Sequence, residues 1–159
     1  MEEIIYREAV MQDLAELIDM WINLRKEQDD FSPEYKVYKK DFVEITKEYF
    51  SKCILSNEQF VLIAESNSKP AGYIMAEVKD FSPPIYDWKK EAQVKNIFVK
   101  PEFRGKGIGK ELISRAENFY GKDIDMFTVM VNVENKKAIK FYESSGLKKF
   151  NLRMYKLVK

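Results

Sequence analysis

The segment from Ile97 to Gly109 joins an apolar run, Ile97 to Val99, to an amphipathic stretch through a turn that carries Arg104, Lys106 and glycines at 105, 107 and 109. Behind the turn, Leu112, Ile113, Ala116, Phe119 and Tyr120 recur at helical spacing until Gly121. The chain must therefore pass from strand to helix within a few residues. Glycines in such a turn can take positive φ and let consecutive backbone N–H groups converge on an anion, with the helix dipole behind them. The pattern predicts a phosphate-binding turn. Arg104, whose planar fork suits phosphate oxygens, and Lys106 add positive charge. Two common phosphate loops are excluded by spacing: Gly105, Gly107 and Gly109 match neither G-x-x-x-x-G-K-[ST] nor G-x-G-x-x-G.

At 159 residues, 45% of them hydrophobic, the chain is long enough to bury a sizeable core. No linker, repeat or low-complexity stretch divides it, so residues 1–159 read as one domain. Its 27 basic and 26 acidic residues leave a net charge of +1, so no global field draws it to nucleic acid or to an anionic membrane, and it lacks a basic aromatic stripe. With no histidine and only Cys53, an intrachain disulfide, a Cys/His zinc cluster and a histidine base are excluded, and no metal is expected. Cys53, without a histidine partner, reads as a core residue. The chemistry falls to carboxylates, tyrosine, water or backbone. The first residues lack a signal-peptide pattern and no apolar run approaches about 18 residues, so a cytoplasmic protein is expected.

Ile4 and Tyr6 begin a strand, and Asp13 precedes the helical stripe Leu14, Leu17, Ile18, Trp21 and Leu24. Ser32 and Pro33 suit the cap and first position of a second helix, with Phe42, Ile45, Tyr49, Phe50 and Cys53 as its stripe. Residues 59–65 and 71–81 form two strands of a hairpin about Ser66 to Pro70. A loop through Ser82, Tyr86, Asp87 and Trp88 leads to a strand from Gln93 to Val99. Residues 124–131 are almost continuously apolar, as in a central strand covered on both faces, reached by a helical crossover that makes it parallel to its neighbour. A last helix runs from about Asn135 to Gly146, and 148–157 are expected to hold one or two edge strands.

That last helix carries a second pattern, Asn132, Asn135, Ala138, Phe141, Tyr142 and Gly146, followed by Leu147. It is similar to N-x-x-N-x-x-A-x-x-F-Y-x-x-x-G-F, with leucine in the final place. Together with the Arg104 to Gly109 turn, it resembles the paired signatures of the GNAT superfamily of N-acetyltransferases, over about residues 93–150. The resemblance implies a single-domain α/β fold with a mixed, mostly antiparallel sheet and a central parallel pair flanked by helices. It implies acetyl-CoA as acetyl donor, with its pyrophosphate on Arg104, Gly105, Lys106, Gly107, Ile108 and Gly109, and its pantetheine arm along the backbone of Ile97, Phe98 and Val99. An amide at Phe98 or Val99 would then face the oxyanion of the tetrahedral intermediate. Tyr142 occupies the place of the family's general acid, and a core role on the same helical face is its other reading. Asn135 caps its helix, contacts the cofactor, or does both.

For the base, some relatives carry a glutamate five residues before the position of Asn135, where this chain has Met130. Glu91 and Glu77 remain candidates, with Asp87 behind them and ordered water as an alternative; surface solvation is the competing reading of each. Asp29, Asp30 and Phe31, with Tyr86, Asp87 and Trp88, form a candidate rim for a cationic amine, against the plainer reading of the aspartates as a solvated loop. The expected activity is direct transfer to a small amine or to a protein or peptide amine, by a monomer or homodimer. The rival is a non-catalytic acyl-CoA sensor or interaction module on the same fold.

Overall fold

The expected alternation of strands and helices is present in the computed structural model, which describes residues 3–36, 38–56, 58–81, 85 and 87–158. The elements are β1 (Ile4–Glu8), α1 (Leu14–Asp29), α2 (Phe42–Leu55), β2 (Gln59–Ser66), β3 (Lys69–Asp80), β4 (Lys90–Val99), α3 (Ile108–Tyr120), β5 (Met126–Val129) and α4 (Lys136–Ser144). The sheet order is β1-β2-β3-β4-β5. The first three pairings are antiparallel and β4–β5 is parallel. Asn67 and Ser68, with φ of 50° and 60°, make the tight hairpin turn between β2 and β3.

Strand alternation divides the core into two layers. On one face Leu62, Ile74, Ala76, Ala92 and Val94 pack with Ile108, Leu112, Ile113 and Ala116 of α3, and Phe141 and Tyr142 of α4 close against them. On the other face Val61, Ile63, Tyr73, Met75 and Phe98 pack with Leu17, Ile18, Met20 and Leu24 of α1 and Phe50 and Cys53 of α2. A register shift matters for the site: Met75 pairs with Asn96 but Ala76 with Val94, which leaves Lys95 as the extra residue of a bulge on β4. The bulge resets the alternation, so Val94 and Ile97 share the α3 side while Phe98 faces α1 and α2.

Several boundaries differ from the sequence expectation. Ser32 and Pro33 open only a single turn, Pro33–Tyr35, and α2 starts at Phe42. Ser32 makes no side-chain cap bond; its hydroxyl accepts from Asn132 Nδ2 instead, at 2.5 Å. The inward face of α2 is Thr46, Phe50 and Cys53, while Ile45 and Tyr49 are exposed, so Phe50 and Cys53 of the expected stripe are buried and Thr46 takes the place expected of Ile45. Strand β4 begins three residues early, at Lys90, because Asp125 Oδ2 accepts from the Lys89 and Lys90 amides at 2.6 and 3.0 Å. Strand β5 is four half-buried residues at the sheet edge, not a covered central strand. Residues 148–158 form no strand among the described residues and are exposed, although Phe150, Leu152 and Met154 alternate. Alternation supplies a local preference, but a strand needs a partner in register.

Candidate active site

Parallel pairing of β4 and β5 runs from Glu91↔Met126 to Val94↔Val129 and stops at the bulge. From Asn96 to Val99, β4 pairs with β3 alone among the described residues. The sheet thus opens between β4 and β5 at the residues expected to line an extended ligand, Ile97, Phe98 and Val99. Phe98 is buried with its side chain on the α1 side, while Ile97 and Val99 pack toward α3. A Cβ at Gly72 would stand 2.6 Å from the Phe98 carbonyl oxygen, so β3 presses against this stretch where only glycine fits.

The turn that follows is built by its glycines in two different ways. Gly105 and Gly107 have φ of 78° and 81°, and a Cβ at either meets nothing within 4 Å. Backbone conformation, not crowding, requires glycine there. Gly109 departs from the expectation of positive φ: it lies within α3, and a Cβ would approach Phe141 Cζ to 3.0 Å. Helix α3 starts directly after Gly107, which offers no side chain to its first amides, so those N–H groups need an acceptor from outside the helix. Open space, positive φ and unpaired helical amides together fit a diphosphate. Ile108 is 1% exposed and offers the site only its amide. Lys106 Nζ stands 5.3 Å from the centroid of the Phe103 ring. Arg104 is tied to the protein: Nε donates to the Val99 carbonyl at 2.8 Å, Nη2 donates to Glu27 Oε1 at 2.6 Å, and Cζ lies 5.4 Å over the Phe98 ring.

The second pattern docks beside the first. Asn135 caps α4, with Oδ1 accepting from the Ala138 amide at 3.0 Å. Gly146, at φ 90°, follows the helix, and the Tyr142 carbonyl accepts from the Ser145 and Leu147 amides. Tyr142 packs against the α3 core layer. Its hydroxyl has no hydrogen-bond partner among the described residues, and burial pushes its pKa up to about 12. The group is a protonated donor at neutral pH.

The carboxylates expected to supply a base are elsewhere. Glu91 accepts from the Thr128 hydroxyl and lies 3.8 Å from Lys79 Nζ. Glu77 is paired with Lys95 at 2.9 Å. Glu91 is seven residues before Phe98 on the same strand, roughly 23 Å at ~3.3 Å per residue, and Glu77 pairs with Gln93, five residues before Phe98 and roughly 16 Å away. Neither carboxylate touches that backbone. Asp87 is exposed. Burial pushes the Cys53 thiol up, which keeps it protonated and inert.

The expected acceptor rim is divided. Asp29 accepts from the Tyr38 hydroxyl at 2.5 Å and lies 3.9 Å from Arg25. Its carboxylate is already engaged. Asp30 is exposed and 3.6 Å from Lys36. Phe31 and Ser32 are tied to the chain after β5 through Asn132 Nδ2, at 3.4 and 2.5 Å. Trp88, 5.2 Å from Phe81 between ring centroids, precedes Lys89, whose amide is held by Asp125 before β5. Phe31 and Trp88 therefore sit near opposite ends of β5 and do not line one pocket. Tyr86 lies outside the described residues. Two contacts had no signal in the sequence: the one by which Asn132, first residue of the second pattern, tethers the α1–α2 connection, and the one by which Glu27 holds Arg104.

The model of the Acetyltransferase (GNAT) family matches residues 19–147, which takes in β4, the glycine turn and α4. The chain belongs to this family. Members take the acetyl group from acetyl-CoA, and among the described residues no cluster of side chains suits a metal ion. An uncharacterised N-acetyltransferase of Methanocaldococcus jannaschii is 29% identical over 141 residues, 88% of this chain; the chain spans 58% of that protein's length. An uncharacterised N-acetyltransferase of Archaeoglobus fulgidus is 27% identical over 144 residues, covering 90% of this chain and 92% of its own length. The solved structure of a Bacillus halodurans protein shares the fold, with a TM-score of 0.84 at 18% identity over 97% of this chain and 99% of that one. Among the described residues no helix is long and apolar enough to cross a membrane.

Proposed function

We propose that the protein transfers the acetyl group of acetyl-CoA directly to a primary amine, with residues 1–159 acting as one catalytic domain. The observation that carries this reading is the seating of α4 on the cofactor turn: Phe141 stands where a Cβ at Gly109 would be 3.0 Å away. Its neighbour Tyr142 packs in the same α3-side core layer as Ile97 and Val99. The turn amides from Gly105 to Gly109 and the positive end of α3 hold the diphosphate. The backbone of Ile97 to Val99 orients the pantetheine arm, and an amide at Phe98 or Val99 donates to the developing oxyanion. Tyr142 donates the proton that the departing thiolate takes up. The acceptor amine arrives deprotonated or loses its proton through water, since Glu77 and Glu91 are committed to Lys95 and to Thr128 and Lys79. The α1–α2 connection at Phe31, held by Asn132, borders the acceptor side.

A second reading has one specific observation in its favour. Met130, in the place where some relatives carry a glutamate, is 69% exposed and carries no group that can take a proton. A chain that binds acyl-CoA without transferring its acyl group fits that feature. Thiol release from acetyl-CoA across a panel of small amines and peptide N-termini separates the two. Turnover with any amine, slowed about 10²- to 10⁴-fold in Tyr142→Phe, supports the transferase. Tight acetyl-CoA binding without turnover across the panel supports the sensor.

A further inference from the structure

Resting on the reading of the glycine turn as the seat of a diphosphate, we propose that Glu27 is a built-in competitor for Arg104, an autoinhibitory contact that sets the affinity for the acetyl donor. Glu27 lies in the last turn of α1, 77 residues from Arg104 in sequence. Its Oε1 accepts from Arg104 Nη2 at 2.6 Å. The other contacts of the guanidinium, Nε to the Val99 carbonyl at 2.8 Å and Cζ at 5.4 Å over Phe98, fix its plane at the exit of β4. Glu27 takes the end of the fork. Arg104 directly precedes Gly105 and Gly107, whose positive φ turns the chain into α3, so its free donors and the helix N-terminus address the same incoming anion.

A carboxylate and a phosphate oxygen ask for the same geometry from a guanidinium, and two anions crowded on one cation repel each other. The diphosphate therefore gains Arg104 at the expense of Glu27. Release is inexpensive, because the Glu27 side chain is 46% exposed and returns to water. Helix α1 stays docked meanwhile, since Lys100 Nζ holds Glu16 at 2.7 Å through a separate bridge between the β4 exit and the start of α1. The pair thus tunes affinity without being needed for the fold.

Calorimetric titration of acetyl-CoA into the wild type, Glu27→Gln, Asp19→Asn, Arg104→Ala and the double variant Arg104→Ala/Glu27→Gln tests the proposal. Asp19 is an exposed acid on the same helix and controls for bulk charge. Glu27→Gln is expected to bind about two- to fivefold more tightly at low salt, the factor matching an exposed ion pair, with the gain shrinking as salt rises. Asp19→Asn is expected to bind as the wild type does, and Glu27→Gln to have no effect in the Arg104→Ala background. Equal or weaker binding by Glu27→Gln overturns the competition. So does an equal gain in Asp19→Asn, or a gain that persists without Arg104. Absence of acetyl-CoA binding in every protein overturns the reading of the turn itself along with it, whereas binding without a Glu27 effect overturns only the competition.

Discussion

A Cβ placed on Gly109 would lie 3.0 Å from Cζ and 3.1 Å from Cε2 of Phe141, so the first turn of α3 and the middle of α4 are in contact through a hydrogen atom. This packing joins the two patterns that are read separately along the chain. Gly109→Val is expected to destabilise by about 1 to 3 kcal/mol, the range for overpacking. Trimming the opposing ring in Gly109→Val/Phe141→Leu should recover part of that loss, a non-additivity that urea unfolding of the four proteins measures.

Gly107 faces the opposite constraint. At φ 81° with open space around it, Gly107→Ala is expected to fold with a loss of about 1 to 2 kcal/mol from left-handed strain, and Gly107→Asn with less. Both place a side chain over the α3 amides, so acetyl-CoA affinity should fall further than stability does. Calorimetry beside thermal unfolding distinguishes the two losses.

Tyr142→Phe removes one oxygen from a half-buried side chain. A fall in kcat of about 10²- to 10⁴-fold, with acetyl-CoA affinity unchanged, is expected for the loss of a proton donor. Because burial raises the Tyr142 pKa to about 12, its deprotonation should cause no alkaline decline of kcat below about pH 10. A wild-type kcat in the variant would make Tyr142 a packing residue.

Acid sensitivity should centre on Asp13. Arg7 grips it with two bonds of 2.7 Å and the Val10 amide adds one of 2.8 Å. These contacts, the Arg7 bonds foremost, hold its carboxyl below the usual range against the opposing effect of burial. A folded pKa below the unfolded value of about 4 means the contribution is complete above that value and lost as pH falls through the folded one. Asp13→Asn is expected to cost about 1 to 3 kcal/mol at neutral pH, with the difference from wild type closing under acid conditions in a pH series of urea unfolding.

Tyr73 offers a gain instead. Its side chain is fully buried between Phe50 and Phe98, and its hydroxyl has no partner among the described residues. Tyr73→Phe deletes an unsatisfied group without opening a cavity, so thermal unfolding should show stability unchanged or raised by up to about 2 kcal/mol. A loss greater than about 1 kcal/mol would reveal a buried water on that oxygen.

Features set by neighbours in the chain were legible in the sequence. The strand, glycine turn and helix from Ile97 to Tyr120, the Asn135 cap and the hairpin at Asn67 depend on backbone preferences and on periodicities of two and 3.6, which are local properties. The family and its acetyl donor follow from two such local patterns. What the tertiary structure decided are the pairings between distant segments. The bulge at Lys95 and the end of the β4–β5 pairing determine how far Glu91 and Glu77 stand from Phe98; Thr128, Lys79 and Lys95 claim those carboxylates. Asp29 answers to Tyr38 and Arg25, Ser32 to Asn132 instead of to its own helix, and Arg104 to Glu27. A charged or polar side chain carries no periodic signature of its partner, because its energy depends on which groups reach it and which solvent they displace. The chemistry of the turn is therefore written in consecutive residues, while the competition for its arginine exists only once α1 and β4 have been brought together.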